Sequence, residues 1–352
     1  MNNTTSNNTV FENSYYDLDY WLPQFASTWA LDSIYLFIIT PLAVFGVILN
    51  IFSFIVLSKK DFHKNKIYIY FRCIALNSAL MNLVESGIFV CSTYRYFEFS
   101  NTIESNIFGI YVYLPISNTC FMFGSCLDIL VSLERCSIFV NKLKRLFTYP
   151  TRYVCMISLT FCILLTCPFF FIEKVGFYDA PISPNSTYRI WYWSLNSFGE
   201  SLTGKIIAAV GYFFRGVCFF LVEVSVNMYS IYLFKKFFKN KASLFFSNSG
   251  NESRLEINAM ASNSNMPTNN RVTLMERNAT LMVIILCFFS IFMHAFYMTL
   301  TIYFYFSYDI VVNTIGAISV VITTSKNFSN FFLLLLFNSS FRNCVRKTLK
   351  NN

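Results

Sequence analysis

Seven long apolar segments occupy most of this 352-residue chain, and each has the length needed to cross a lipid bilayer. A membrane-spanning helix needs about 20 mainly apolar residues. The sequence therefore predicts an all-α membrane protein, a seven-transmembrane helix bundle with a short C-terminal amphipathic helix. The predicted spans, numbered 1 to 7, are Ser33–Leu57, Ile67–Cys91, Ile107–Val131 (with its helix running on to about Val140), Val154–Ile172, Ile206–Phe234, Ala279–Phe306 and Ile310–Phe337.

The composition agrees with burial in lipid rather than in a soluble core. Only 13% of the residues are charged and 55% are hydrophobic, whereas a soluble domain has about 25% charged residues. The net charge of +9 does not indicate a nucleic-acid partner, because the Lys and Arg residues lie in short loops between apolar spans. The lipid bilayer is the predicted partner, and we expect no nucleic acid.

The basic loops also predict the orientation, because cytosolic loops of membrane proteins are enriched in Lys and Arg. The N-terminus is expected to be extracellular and the C-terminus cytosolic, in a multi-pass protein of the plasma membrane. Acidic residues precede span 1, whereas basic residues follow spans 1, 3, 5 and 7: Lys59, Lys60, Lys64, Lys66, Lys142, Lys144, Arg145, Arg152, Lys235, Lys236, Lys239, Lys241, Arg342, Arg346, Lys347 and Lys350.

This orientation divides the chain into an extracellular tail (residues 1–32), a transmembrane receptor domain (33–337) and a cytosolic amphipathic helix with its tail (338–352). The loop at about 243–275 is rich in Asn and Ser, so we expect it to be largely disordered. Four asparagines in glycosylation motifs fall on the predicted outer side: Asn2, Asn3, Asn7 and Asn185.

The outer loop between spans 4 and 5 carries a stretch rich in strand-forming residues, Ser186-Thr187-Tyr188-Arg189-Ile190-Trp191-Tyr192-Trp193. One interpretation is a β-hairpin that covers the outer mouth of the bundle, with Trp191 as a ligand contact. The alternative is that these aromatic side chains rest in the membrane interface.

Span 3 ends in Ser132-Leu133-Glu134-Arg135-Cys136, a carboxylate next to a guanidinium where a helix meets the cytosol. Polar residues recur inside the other spans: Asn50 in span 1, Asn82 in Ser78-Ala79-Leu80-Met81-Asn82-Leu83 of span 2, and Asn330 in Asn330-Phe331-Phe332-Leu333-Leu334 of span 7. In their order and spacing, these motifs resemble those of the rhodopsin-like (class A) G-protein-coupled receptors. The resemblance covers nearly the whole chain, from Ser33 to Lys350.

The resemblance implies a switch centred on Arg135. At rest Arg135 would pair with Glu134, and with Glu276 at the base of span 6, and on activation it would turn towards a heterotrimeric G protein. Tyr229 in span 5 matches the inward-facing Tyr of the family.

Several family motifs are altered in this chain. Leu221 replaces the usual Pro of span 5, and the Cys-Trp-x-Pro motif of span 6 is absent. Phe288 or Phe289 resembles the packing-switch Phe of the family, and Phe292 stands where the Trp is expected, which makes it a candidate ligand contact. The stretch at the outer end of span 3, Asn106–Leu114, contains no Cys for the disulfide that the family usually makes.

Charged residues inside spans are functional candidates by default, and we identified Glu85, Asp128, Arg215 and Lys326. The resemblance places Lys326 with Asn82, Gly124 and Asn330, around the cavity where relatives hold a sodium ion. We therefore expect the Lys326 ammonium to replace that ion, with Asp128 or Glu85 as its counter-charge.

Ligand contacts are harder to predict. Arg215 lies in the outer half of span 5, where it either meets an acidic ligand group or extends its charge to the headgroups. His294 in span 6 is a candidate contact, although a hydrogen-bonded core residue is the more usual role. No Cys/His cluster with metal spacing occurs, and we expect neither a metal nor another cofactor.

The predicted function is a G-protein-coupled receptor for an extracellular ligand, and the protein is not expected to be an enzyme. The altered motifs fit rapidly diverging invertebrate receptors, either chemosensory or peptide-responsive. A secondary transporter of a small solute is the alternative from another class, although no internal repeat is visible. A light-sensing receptor is a further alternative, but Lys326 lies about one turn further in than the retinal-linked lysine of that group.

Overall fold

The computed structural model describes residues 32–63, 66–87, 102–183, 186–248 and 310–350, together with 281, 285, 288–292, 295 and 296. Within this part of the chain, six helices are long and apolar enough to cross a membrane. The chain is a helical multi-pass membrane protein, as predicted. Most of span 6 lies outside the described residues, so the count of seven spans stays a prediction.

The observed helices follow the predicted spans with shifted ends. They cover Asp32–Leu57 in span 1, Ile67–Ser86 in span 2, Ile103–Ser137 in span 3, Thr151–Phe171 in span 4, Leu202–Leu233 in span 5 and Ile310–Phe337 in span 7. Short π-helical turns interrupt three of them, at Tyr35–Ile39, Gly109–Tyr113 and Phe214–Cys218.

Local capping explains the shifted starts of spans 3 and 5. The described helix of span 2 ends at Ser86 and is followed by Gly87, and the rest of the predicted span, residues 88–91, lies outside the described part. Span 3 begins earlier than predicted, since the Thr102 hydroxyl accepts a hydrogen bond of 3.3 Å from the Ser105 amide. Span 5 likewise begins at Leu202, where Ser201 caps the Gly204 amide at 3.1 Å.

The helix of span 5 runs without a break through Phe219–Asn248. The loop predicted to be disordered from Ser243 onwards therefore begins at least six residues later, and residues 249–275 lie outside the described part. The sequence gives the reason, because neither Gly nor Pro occurs between Lys235 and Ser249 to end the helix.

Span 3 lies at the centre of the described bundle. It packs against spans 2, 4 and 5, while span 7 packs against spans 1 and 2. Of its apolar window 61% is buried, compared with 22% for spans 1 and 4. A residue on span 3 therefore faces protein on most sides, whereas spans 1 and 4 present most of their surface to lipid.

Spans 1 and 2 approach closely at Gly46. A Cβ atom at this position would lie 2.1 Å from Nδ2 and 2.8 Å from Cγ of Asn82, which is fully buried. Only a glycine leaves room for the Asn82 side chain at this crossing.

Two antiparallel strands, β1 (Glu173–Ser183) and β2 (Ser186–Leu195), form the predicted hairpin between spans 4 and 5. Its residues pack against the outer end of span 3. Phe177 lies opposite Trp191, with their ring centres 5.2 Å apart, and the Arg189 guanidinium lies 4.3 Å from the Phe177 ring centre. At the start of β1, burial raises the pKa of the Glu173 carboxyl.

A C-terminal helix, Ser339–Lys350, follows span 7 directly. The Asn338 side chain caps it by accepting a 3.0 Å hydrogen bond from the Phe341 amide. Phe341, Cys344 and Val345 are buried against the bundle, and Lys59 Nζ donates a 2.6 Å hydrogen bond to Thr348. The helix is thus fixed to the end of span 1.

Candidate functional site

A buried ion pair joins spans 3 and 7. Lys326 Nζ lies 2.6 Å from Asp128 Oδ2, and the two side chains are only 10% and 7% exposed. Ser290, in the described part of span 6, accepts a 2.9 Å hydrogen bond from Lys326 and donates one of 3.1 Å to Asp128. Of the two counter-charges left open by the sequence, Asp128 is the partner of Lys326, and Glu85 is not.

Helical periodicity places Lys326 in this position. The buried face of span 7 carries polar residues three or four positions apart, a spacing that puts them on one side of a helix. These residues are Ser319, Thr323, Asn327 and Asn330, with the largely buried Lys326 among them. The interior face of span 7 is therefore polar along most of its described length.

A second polar network links spans 1, 2 and 7. Asn50 Nδ2 donates to the carbonyl oxygens of Gly46, at 2.8 Å, and Asn327, at 2.9 Å. Ser78 donates to Asn327 Oδ1 at 3.2 Å and accepts from Asn330 Nδ2 at 3.1 Å. Asn50 and Asn330 thus belong to one network, in which Ser78 and Asn327 were not foreseen.

Two residues expected beside Lys326 face other neighbours. Asn82 lies against Gly46, and a Cβ at Gly124 would lie 3.2 Å from Asn77 Nδ2, which donates to the Cys120 carbonyl oxygen at 2.8 Å. Asn82 is thus turned towards span 1 and Gly124 towards Asn77, and the ion cavity predicted around Asn82, Gly124, Lys326 and Asn330 stays a prediction.

The outer halves of spans 2, 3 and 5 hold a second charged cluster. Arg215 is only 8% exposed, hydrogen-bonds through Nη1 to Asn118 Oδ1, and lies 5.1 Å from the Phe121 ring centre. Glu85 Oε2 accepts a 3.3 Å hydrogen bond from the Tyr113 hydroxyl and is subject to the charge of Arg215. Arg215 is thus directed into the bundle and does not extend to the headgroups.

We expect Arg215→Lys to lower the free energy of unfolding by about 1–2 kcal/mol. A lysine keeps the charge but loses the planar group that bonds Asn118 while stacking on Phe121. The midpoint of thermal unfolding of the purified protein in detergent measures the effect. The control is Arg152→Lys, because Arg152 is exposed. Equal unfolding midpoints for both variants would contradict the buried position of Arg215 in the bundle.

The interior face of span 5 differs from the one predicted. Glu223, Asn227 and Ser230 are buried, whereas the Tyr229 side chain is 45% exposed. Successive helical residues turn by about 100°, so Tyr229 points roughly 120° away from the buried stripe. The predicted inward position of Tyr229 is wrong because the helix buries its polar residues instead. Glu223 was missed, although its spacing with Asn227 and Ser230 was a usable signal.

The end of span 3 that is predicted to face the cytosol holds the predicted switch pair. Glu134 and Arg135 are both partly buried, and the charges of Lys66 and Arg135 both act on the Glu134 carboxylate. Lys66 Nζ also donates a 2.7 Å hydrogen bond to the Phe147 carbonyl oxygen. Glu276 lies outside the described residues, so its pairing with Arg135 stays a prediction.

The remaining predicted residues are either exposed, part of the hairpin or outside the described residues. The side chains of Phe288, Phe289 and Phe292 are 70%, 43% and 48% exposed, and only Ser290 of this stretch is buried. This exposure does not fit the packing role expected of Phe288 or Phe289, and the ligand contact predicted for Phe292 stays a prediction. Trp191 belongs to the hairpin. Five predicted residues lie outside the described part: His294 and the glycosylation asparagines Asn2, Asn3, Asn7 and Asn185.

The fold and these contacts define a helical multi-pass membrane protein with charged residues in its interior. No protein-family model matches the chain, and no curated protein matches it significantly. Among the described residues, no group of three or more His, Cys, Asp and Glu side chains is placed to hold a metal ion. Hypotheses about function therefore depend on the geometry of the bundle.

Proposed function

We propose that this chain is a seven-span receptor of the plasma membrane that couples an extracellular ligand to a heterotrimeric G protein. The supporting observation is the central position of span 3, which packs against spans 2, 4 and 5 and ends in Glu134 and Arg135. A central helix that ends in an ionic pair can transmit a shift in its position from one membrane face to the other. In this proposal the N-terminus is extracellular and the C-terminus cytosolic.

The ligand would enter from the outer side, near the hairpin. The outer cluster offers a guanidinium on span 5 and a carboxylate on span 2, both held by residues of span 3. A ligand that changes either contact would shift span 3 relative to its neighbours. Since ligands act by shifting populations, the ligand must bind the active arrangement more tightly than the resting one.

The response at the other face would be the release of Arg135. In the resting bundle the guanidinium lies beside Glu134, and the Lys326–Asp128–Ser290 centre holds spans 3, 6 and 7 together. Movement of span 6 away from span 3 would open the cytosolic face. Arg135 would then contact the G protein.

We expect Arg135→Ala to abolish ligand-stimulated nucleotide exchange on the G protein while the receptor still reaches the cell surface. The measurement is G-protein dissociation in cells that express equal amounts of each variant, during a screen of peptide and small-molecule ligands. Arg145→Ala is the matched control, because Arg145 is an exposed arginine of the same cytosolic face. Full activity of Arg135→Ala would refute the proposed switch.

A secondary transporter is the second candidate, and the ion pair in the membrane interior is the observation that favours it. Buried charges often mark ion or proton pathways. Uptake of a labelled solute by cells that express the chain, without ligand-dependent nucleotide exchange, would decide for this candidate.

A further inference from the structure

Span 4 contacts the rest of the bundle along one narrow stripe of small side chains. Within the helix Thr151–Thr166, the buried residues are Thr151, Cys155, Cys162 and Thr166. Cys162 is completely buried where span 4 meets span 3. The position of span 4 therefore depends on the few contacts that these side chains make.

Two thiols face each other in this stripe. The sulfur atoms of Cys126 on span 3 and Cys162 on span 4 lie 3.7 Å apart. Four residues further along span 4, the Thr166 hydroxyl hydrogen-bonds that of Thr119 at 2.7 Å. Because Thr119 lies seven residues before Cys126 on span 3, both contacts belong to one antiparallel contact line between the two helices. This line holds the two cysteines opposite each other.

The surroundings of the two thiols are apolar. Cys162 belongs to the main hydrophobic cluster of the bundle, and Cys126 packs against that cluster. Cys126 lies nine residues before Arg135, which is about 14 Å along the helix from that end of the span. Since the hydrocarbon core of a bilayer is about 30 Å thick, the thiols lie near its middle. A reagent that reaches them must dissolve in hydrocarbon.

The two cysteines differ in accessibility. Cys126 is partly exposed, whereas Cys162 is completely buried. An oxidant therefore reaches Cys126 first, and Cys162 is placed to react with the oxidised sulfur, as a resolving cysteine does. A disulfide bond is about 2.05 Å long, so the sulfur atoms must approach each other by roughly 1.7 Å. Rotation about the two Cα–Cβ bonds can move them this far.

We propose that Cys126 and Cys162 form a modification site, at which an organic hydroperoxide dissolved in the bilayer converts the two thiols into a disulfide. Such a hydroperoxide forms on oxidised lipid acyl chains. The resulting bond fixes span 4 to the central span 3. The proposal does not depend on coupling to a G protein.

The reaction has two steps. First, the Cys126 sulfur takes the terminal hydroxyl group of the hydroperoxide: an S–O bond forms, the O–O bond breaks, and the thiol proton passes to the departing oxygen, which leaves as an alcohol. The Cys162 sulfur then attacks the sulfenic acid at Cys126, an S–S bond forms, and the hydroxyl group leaves with the second thiol proton as water. The two thiols lose two electrons in total, and the hydroperoxide gains them.

Peptide mapping tests this modification. The full chain in lipid nanodiscs is reduced, freed of reductant and treated with cumene hydroperoxide, an apolar organic hydroperoxide. Cleavage after Met, Lys and Arg gives fragment 123–135, whose only cysteine is Cys126, and fragment 157–174, which contains Cys162 and Cys167. We expect mass spectrometry to find these fragments joined, and fragmentation to place the bond at Cys162.

Single substitutions assign the bond. Cys126→Ser and Cys162→Ser should each lose the cross-link. Cys155→Ser is the matched control and should keep it, because Cys155 is a buried cysteine of the same stripe on span 4. The hydroperoxide should raise the midpoint of thermal unfolding of the wild type by roughly 4–8 °C. Cys126→Ser should lose this rise.

A wild type whose Cys126 and Cys162 thiols both stay free after this treatment overturns the proposal without any variant. So does a bond from Cys126 to Cys167, or oxidation of Cys126 to a sulfinic acid without a cross-link. Hydrogen peroxide partitions poorly into hydrocarbon, so it should form the cross-link more slowly than cumene hydroperoxide. An equal or faster reaction with hydrogen peroxide would overturn the assignment of the oxidant.

Discussion

Replacing Lys326 by Met is expected to lower the free energy of unfolding by about 3–5 kcal/mol, which makes it one of the most damaging single changes in the chain. The substitution leaves Asp128, which is 6% exposed, without its ammonium partner. Breaking a buried ion pair on one side costs this much because the remaining charge is neither solvated nor paired. We expect low surface expression and a lower midpoint of thermal unfolding in detergent.

The double variant Asp128→Asn/Lys326→Met should recover most of that loss, because it removes both charges together. Lys205→Met is the matched control, since Lys205 is exposed near the outer end of span 5, and it should have little effect. If the single and double Lys326 variants were equally unstable, the ion pair would not be the reason for the loss.

Gly46→Val is expected to destabilise the protein by about 3 kcal/mol, at the upper end of what overpacking usually costs. The new Cβ would lie 2.1 Å from the Asn82 amide nitrogen, and Asn82 is fully buried. Spans 1 and 2 would have to separate, which also strains the bonds that Asn50 makes with Gly46 and Asn327. Cell-surface expression and thermal unfolding both report this change.

A second substitution tests whether the collision with Asn82 causes the loss of stability in Gly46→Val. Asn82→Ala removes the atoms that collide with the new side chain, so Gly46→Val/Asn82→Ala should be clearly more stable than Gly46→Val alone. Gly216→Ala is a control within span 5, because a Cβ at Gly216 has no atom within 4 Å. The packing explanation fails if Asn82→Ala gives no rescue.

Hydropathy was sufficient to predict the helical membrane fold, because the need to satisfy backbone hydrogen bonds in lipid permits few alternatives. Spans 1, 3 and 4 appear within a few residues of their predicted positions. Their ends depended on local contacts such as the Thr102 cap, which hydropathy does not report.

The site was predictable only in part. Sequence identified Lys326 and Asp128 as buried charges that require partners, but the choice between Asp128 and Glu85 depended on how spans 3 and 7 are rotated and staggered. Tyr229 was placed inward by its likeness to a motif, whereas the polar spacing of Glu223, Asn227 and Ser230 decides which face is buried. Periodicity within the chain was the better guide to helix orientation.

The helix of span 5 extends well past the membrane span at the end where Arg135 of span 3 also lies. From Phe234 to Asn248 the helix continues for a further 15 residues beyond the candidate membrane span Leu202–Leu233, a distance of about 22 Å. In the proposed orientation this part projects into the cytosol as a rigid arm. A cytosolic protein that reaches for Arg135 must therefore pass beside this arm, so its direction of approach is restricted before any specific contact forms.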